Sequence, residues 1–145
     1  DLSHDPNILN ELIFSLVKYD IAIGSRFKKG GMVEKWNWRR KMISNTGVFL
    51  ARLLTDVKDP LSGYFFLKKK VIQNIHLKTT GYKILLEILV KSKYKKIKEI
   101  PYSFRMRKYS ASKLNYKEFL LFLWQIIKYI FYKAAHKFLN YGKFR

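Results

Sequence analysis

Cysteine is absent from this 145-residue chain, and only 3 prolines and 7 glycines occur in it. Without cysteine there is no disulfide scaffold, no zinc ribbon and no thiol nucleophile. The three histidines, His4, His76 and His136, are widely spread and argue against a His-based metal site. Long apolar runs are also missing. The uncharged stretch Phe119 to Ile127 falls well short of the ~20 residues a spanning helix needs, so no transmembrane helix is predicted. Negative charge is scarce: 10 acidic side chains stand against 30 basic ones, for a net charge of +20.

What is present is apolar and basic. At 48% hydrophobic and 17% aromatic, the chain is too rich in core-forming residues for the disordered class. Its length suits one domain with a sizeable core. The chain opens at Asp1 with no initiator methionine and no signal-peptide pattern, so a fragment or a processed or trimmed product is expected. Residues 91–145 hold 15 basic and 2 acidic side chains, whereas residues 1–90 hold 15 and 8. The C-terminal third is therefore expected to meet an anion: nucleic acid, an acidic membrane surface or a phosphorylated substrate.

Periodicity predicts an α/β order. Asp5 to Lys18 reads as a helix with Asp5 as cap and Pro6 in the first turn. Asp20 to Ser25 (DIAIGS) reads as a buried strand, and Arg26 to about Val33 as a polar loop containing Gly30 and Gly31. From Glu34 to Leu54 a long helix or two is expected, with Trp38, Met42, Val48, Phe49 and Leu53 inward and Arg39, Arg40 and Lys41 outward. Pro60 and Gly63 mark a turn before a strand at Tyr64 to Leu67, and Lys68 to Ile75 reads as a short helix. Gly81 to Lys91 is predicted helical with Leu85, Ile88 and Leu89 inward, and Ile97 to Phe104 is a strand whose proline puts it at an edge. Alternating strands and helices define the α/β class.

In Asn115 to Phe138, helical spacing gathers Lys117, Glu118, Gln125, Lys128, Tyr132 and His136 on one narrow strip. Phe, Leu, Ile and Trp cover the rest. A broad apolar face edged by lysine is the pattern of a helix lying in a membrane interface, although packing against another part of the protein produces the same pattern.

Four segments stand in order: DLSHDP from Asp1, GSRF at Gly24 to Phe27, DPLSGYFFLKK at Asp59 to Lys69, and EIPYSFRMRKYSASKL at Glu99 to Leu114. Together they resemble the polyprenyl-phosphate (dolichol-phosphate) mannosyltransferases, family 2 glycosyltransferases of the GT-A fold. The resemblance implies the second half of a GT-A, Rossmann-like catalytic domain over residues 1–113, followed by amphipathic membrane-interface helices over 114–145. It implies that Asp1 is the second carboxylate of a D-x-D motif, with Ser3 beside it, and that they hold Mg²⁺ or Mn²⁺, hard cations that take oxygen ligands. It assigns Arg26, Arg40 and Ser44 to the lipid phosphate, with the Arg39/Arg40 register open by one residue, and Lys83, Arg107 and Lys113 to the donor diphosphate. Where the family has R-x-Y-G-E-S-K, this chain has Ser110 and Ala111 in place of Gly and Glu. Asp59 orients the acceptor or supports the site.

Without the resemblance these residues read otherwise. Asp59 is an Asx-turn acceptor, Arg26 a solvated loop arginine, residues 39–41 a basic helix face and Lys83 a surface base. No Gln/Arg-x-x-Arg-Trp motif precedes Trp36, Trp38 or Trp124, which favours single transfer over processive synthesis. The implied reaction moves a hexose, mannose from GDP-mannose by expectation, onto a polyprenyl phosphate with inversion, at the cytoplasmic face of a membrane. The expected partners are the nucleotide sugar, the lipid phosphate, the anionic membrane surface and a missing N-terminal half or partner chain. Two alternatives stand beside this: a basic nucleic-acid-binding module, and a non-catalytic or split subunit of a lipid-linked sugar transferase. The nucleic-acid reading lacks a helix-turn-helix, an aromatic RNP-type strand and a zinc knuckle.

Overall fold

Strand β1 (Ile21–Ser25) is buried along its whole length and forms the centre of a three-stranded sheet ordered β3-β1-β4. Burial on both faces explains its continuous small and β-branched composition, without polar alternation. β3 (Phe65–Leu67) runs antiparallel to it, with Ile21 opposite Leu67. β4 (Ile97–Pro101) runs parallel, from Ile21 opposite Ile97 to Ser25 opposite Pro101. In this computed structural model, residues 3–34, 37–78, 83–105 and 116–141 are described. The chain falls into two units, Asp1–Ala111 and Ser112–Arg145.

Alternation along β1 serves two cores. Ile21 and Ile23 pack with Val57, Val71, Leu85, Ile88 and Leu89, the last three from α3 (Ile84–Lys91). Ala22 packs with Leu12 and Ile100, Leu12 coming from α1 (Leu9–Ser15). The strands, α1 and α3 therefore agree with the α/β class read from the sequence. Asp5 caps as expected, accepting the Asn7 N–H at 3.0 Å, but Pro6–Ile8 is a 3-10 turn and the α-helix starts only at Leu9.

Four expectations are corrected. The loop after β1 contains a short strand, β2 (Met32–Val33), which pairs in parallel with β5 (Ser103–Phe104) as a second, two-stranded sheet. The single strand expected over Ile97 to Phe104 is thus split. Tyr102 donates its N–H to Ser25 in the first sheet and accepts that of Met32 in the second, both at 3.2 Å. Pro101, which has no N–H to extend the ladder, marks the break. Lys68 to Ile75 forms only one 3-10 turn, Lys69–Val71.

The largest correction concerns α2 (Trp38–Arg52), capped by Asn37, whose side chain accepts the Arg40 N–H at 2.9 Å. Its buried face is Gly47, Val48 and Ala51. Trp38 and Phe49, expected inward, are 67% and 65% exposed, and Met42 and Leu53 are exposed as well. At ~100° per residue those four fall on one exposed stripe, whereas Val48 is buried and Arg39 and Lys41 are exposed, as expected.

The second unit is α4 (Tyr116–Tyr141). Phe122, Ile126 and Tyr129 are buried, while Leu120, Leu121, Trp124, Ile127 and Phe131 are exposed. Lys128 lies 5.1 Å from the centre of the Trp124 ring. Among the described residues no helix is long and apolar enough to cross a membrane.

Candidate anion-binding site

The carboxyl end of β1 delivers Arg26 into the turn after the strand, and the Asp59–Pro60 turn meets it there. Asp59 Oδ2 accepts from Arg26 Nε at 2.8 Å and from the Arg26 backbone N–H at 3.0 Å, while Oδ1 accepts from Nη2 at 2.8 Å. The Asp59 side chain is fully buried and that of Arg26 only 11% exposed. A bidentate pair fixes the plane of the guanidinium as well as its position. Burial opposes the charge on Arg26, but the hydrogen bonds and field of Asp59 outweigh it and raise its pKa further. Arg26 is permanently cationic, and two of its five side-chain N–H groups are given to Asp59.

The turn that carries Asp59 is itself held. Glu99 on β4 accepts the Lys58 N–H at 2.9 Å and the Asp59 N–H at 3.0 Å. Arg52 at the end of α2 donates to the Lys58 carbonyl from Nε at 2.9 Å and Nη2 at 2.5 Å. Ser62 donates to the Gly24 carbonyl at 2.6 Å and accepts the Tyr64 N–H at 3.1 Å, tying the same turn to β1.

Aromatic rings form one wall. The Arg26 guanidinium lies 5.4 Å from the Phe27 ring centre and 5.7 Å from that of Phe104. His4 packs against Tyr64, Tyr102 and Phe104, with ring centres 5.1, 5.9 and 5.5 Å away. Burial pushes the Tyr102 phenol far above its ordinary range, against the opposing field of Arg26. A Cβ at position 24 would stand 3.0 Å from the Tyr64 ring, 3.2 Å from the Ile8 side chain and 3.3 Å from the Tyr102 ring, so any larger residue requires these side chains to give by a few tenths of an ångström.

Lys83, just before α3, belongs to the same electrostatic cluster. Burial first, and then repulsion from Arg26, push its ammonium down to about 8, with Asp59 acting in the other direction. A second cation thus lies within the field of the Arg26–Asp59 pair, and the repulsion between the two cations is of the kind an incoming anion relieves.

Beside Arg26 a groove of about 570 Å³ opens between β2, α2 and the post-β1 loop. Arg26, Lys41, Asn45 and Arg52 are its polar lining residues, and Phe27, Val48 and Phe49 are among its apolar ones. Arg40 and Ser44, one residue earlier on α2 than Lys41 and Asn45, are half-buried and are not among its lining residues. The structure thus joins Arg26 to Asp59, places Lys83 in their field, and lines the groove with Lys41 and Asn45 rather than Arg40 and Ser44.

Ser3 is buried, and its carbonyl accepts the Arg105 N–H at 3.0 Å, which puts the N-terminal segment alongside β5 and the aromatic wall. Asp1, Arg107 and Lys113 lie outside the described residues. Among those described, no three His, Asp or Glu side chains gather to hold a metal, and both oxygens of Asp59 are taken by Arg26. The described residues do not by themselves make a metal site.

Glu99, Arg52, Tyr102 and Lys41 carry no role in the sequence reading. One signal was available for Glu99: it is one of only two carboxylates in the last 55 residues, a strongly basic stretch. Nothing local marked Arg52, which reaches the turn only through the packing of α2.

Fold and site define an α/β unit whose central strand ends in a buried, anchored arginine beside a basic, part-apolar groove. No protein-family model matches the chain. It is 42% identical over 137 residues to the dolichol-phosphate mannosyltransferase of Pyrococcus furiosus, which covers 89% of this chain and 39% of that protein. To the Saccharomyces cerevisiae dolichol-phosphate mannosyltransferase it is 33% identical over 154 aligned positions, 99% of this chain and 58% of that protein. To the polyprenol monophosphomannose synthase of Mycolicibacterium smegmatis it is 31% identical over 123 residues, 79% of this chain and 46% of that protein. The chain is thus similar, over most of its own length, to dolichol-phosphate mannosyltransferases, and it spans about half the length of these relatives.

Proposed function

We propose that the chain is the acceptor-handling part of an enzyme that transfers mannose from GDP-mannose to a polyprenyl phosphate, with inversion at the sugar carbon. The observation that carries this reading is the Arg26–Asp59 pair at a groove lined by both basic and apolar side chains. A phosphate joined to an isoprenoid chain has the same two-part chemistry.

The lipid phosphate is already an anion at neutral pH and needs no general base. Arg26 supplies the fixed N–H donors for its oxygens, and Asp59 keeps the guanidinium from turning away. Arg40 and Ser44 share the phosphate in this reading, with Lys41 and Asn45 available on the adjacent helical positions. Lys83, together with Arg107 and Lys113, faces the donor diphosphate. Charge leaving with the nucleoside diphosphate is neutralised by cations whose own repulsion is thereby relieved. Asp1 and Ser3 belong to the same reading as holders of Mg²⁺ or Mn²⁺, which when bound supplies further positive charge to the diphosphate. The fold assigned is the second half of a GT-A domain, with the missing half, or a partner chain, contributing the nucleotide-binding strands.

The exposed stripe of α4, Leu120, Leu121, Trp124, Ile127 and Phe131, is proposed to lie in the interface of an anionic membrane at its cytoplasmic face, with Lys128 reaching the headgroups. Nearby lysines add about 1 kcal/mol each to such binding.

The test is transfer of labelled mannose from GDP-mannose to dolichyl phosphate by the full-length protein, with UDP-glucose as the competing donor. Lipid-linked mannose that falls at least tenfold in Arg26→Ala is the expected outcome. Absence of any lipid-linked sugar, together with tight, steeply salt-dependent RNA binding, overturns the reading.

A further inference from the structure

Peptides 58 and 59 are gripped from both sides, by Glu99 on a distant strand and by Arg52 at the end of α2. The Glu99 carboxylate takes both of their N–H groups, at 2.9 and 3.0 Å, one on each oxygen. Arg52 takes the Lys58 carbonyl from the other direction. The next group along is the Asp59 side chain, which sets Arg26 through two side-chain hydrogen bonds of 2.8 Å. Glu99 lies on β4 opposite Ile23 of β1, so its backbone is anchored in the sheet, and its carbonyl accepts the Lys28 ammonium at 2.5 Å. The strand that pairs with β1 therefore also holds, through one side chain, the turn that aims the arginine at the end of β1.

We propose that Glu99 is a positioning residue for the acceptor phosphate, acting through Asp59 on Arg26; this rests on the lipid-phosphate reading given above. A carboxylate suits the place for a specific reason. It offers an acceptor to each of two adjacent N–H groups, whereas an amide offers one acceptor and turns a donor toward the other. Neutral or apolar replacements leave a backbone donor unmatched and let the turn relax. The guanidinium plane then drifts, and because Arg26 binds the phosphate before and during transfer, the loss falls on acceptor KM more than on kcat.

The test uses the full-length protein with Glu99→Ala and Glu99→Gln, each alone and combined with Arg26→Ala, and measures kcat and KM for a polyprenyl phosphate. The expected result is an acceptor KM raised about tenfold in Glu99→Ala, a smaller rise in Glu99→Gln, and kcat within about threefold. With Arg26 already removed, either Glu99 change is expected to add less than about twofold. An unchanged KM, or the same factor with and without Arg26, overturns the proposal and makes Glu99 a fold residue only. If Glu99→Ala does not fold, Glu99→Gln is judged by the same two criteria. If the unaltered protein transfers no sugar to polyprenyl phosphate, the mannosyl-transfer reading falls by itself. Binding of inorganic phosphate to the same variants then decides the Glu99 relation: weakening that vanishes without Arg26 supports it, and weakening independent of Arg26 overturns it.

Discussion

Arg26 and Asp59, 33 residues apart in sequence, are joined by three hydrogen bonds of 2.8 to 3.0 Å, two from the guanidinium and one from the backbone of Arg26. Such a pair contributes little net stability compared with an apolar pair of the same volume, yet losing one partner leaves a buried charge unanswered. Asp59→Asn is accordingly expected to destabilise the protein by about 3 kcal/mol in denaturant titration. The double replacement Arg26→Met with Asp59→Leu is expected to regain most of that stability and none of the phosphate binding. Full retention of phosphate binding by the double variant refutes a functional role for the pair.

Lys83 ties folding to pH in the opposite sense from most lysines. Its ammonium titrates near 8 in the folded chain and near 10.5 when unfolded, so folding is opposed by its charge at neutral pH. That opposition is complete below pH 8 and disappears between pH 8 and 10.5. Lys83→Met is therefore expected to stabilise the protein at pH 7 by on the order of 2 kcal/mol, with the gain gone above pH 10.5. Its cost is anion affinity: pyrophosphate binding by the unaltered protein should weaken from pH 7 to 9, and this dependence should flatten in the variant. Isothermal titration at three pH values reads it directly.

Asp20 shows the usual carboxylate case at the other end of β1. The Lys70 ammonium at 2.8 Å, followed by the Lys95 N–H at 2.8 Å, holds its carboxyl down to about 2. Stability from this group is present above pH ~4 and is lost as the pH falls from there toward 2. Allowing for solvent screening at the lysine, Asp20→Asn is expected to cost on the order of 1 kcal/mol at pH 7. The same variant should lack this part of the acid limb of an unfolding curve. A variant curve parallel to the original between pH 4 and 2 contradicts the assignment.

Two glycines near the site make a matched pair. A Cβ at Gly31 would stand 2.5 Å from the Ser25 carbonyl oxygen and 2.9 Å from the Arg26 carbonyl, backbone atoms that cannot swing aside. A Cβ at Gly63 meets nothing within 4 Å. Gly31→Ala is expected to cost at least about 2 kcal/mol and to disturb Arg26, whereas Gly63→Ala should stay within about 0.5 kcal/mol. Equal midpoints in urea for the two variants contradict this.

Much of the architecture was legible in local pattern. DIAIGS has the apolar continuity of a doubly covered strand, ILLEILVK has the period of a buried helix, and Asp5 occupies a cap position that hydrogen-bonds as such residues do. The buried face of α2 was legible only at Val48, because hydrophobicity ranks Trp38 and Phe49 above Gly47 and Ala51, and small side chains carry little hydropathy signal. Tyr102 likewise looked like one residue of a strand; serving two sheets at once depends on where β2 lies.

The site divides along the same line. Sequence alone determined the main elements around β1, α1 and α3, the excess of cations, and the resemblance that marked Arg26, Asp59 and Lys83, since these depend on residue identity and short spacing. Only the tertiary structure decided that Asp59 grips Arg26, that Glu99 and Arg52 hold the turn behind it, and that Lys83 shares their field. Those relations join positions 33 to 41 residues apart or reach across different elements. Their strength comes from burial and angstrom-scale geometry, which exist only once the sheet has closed the distance.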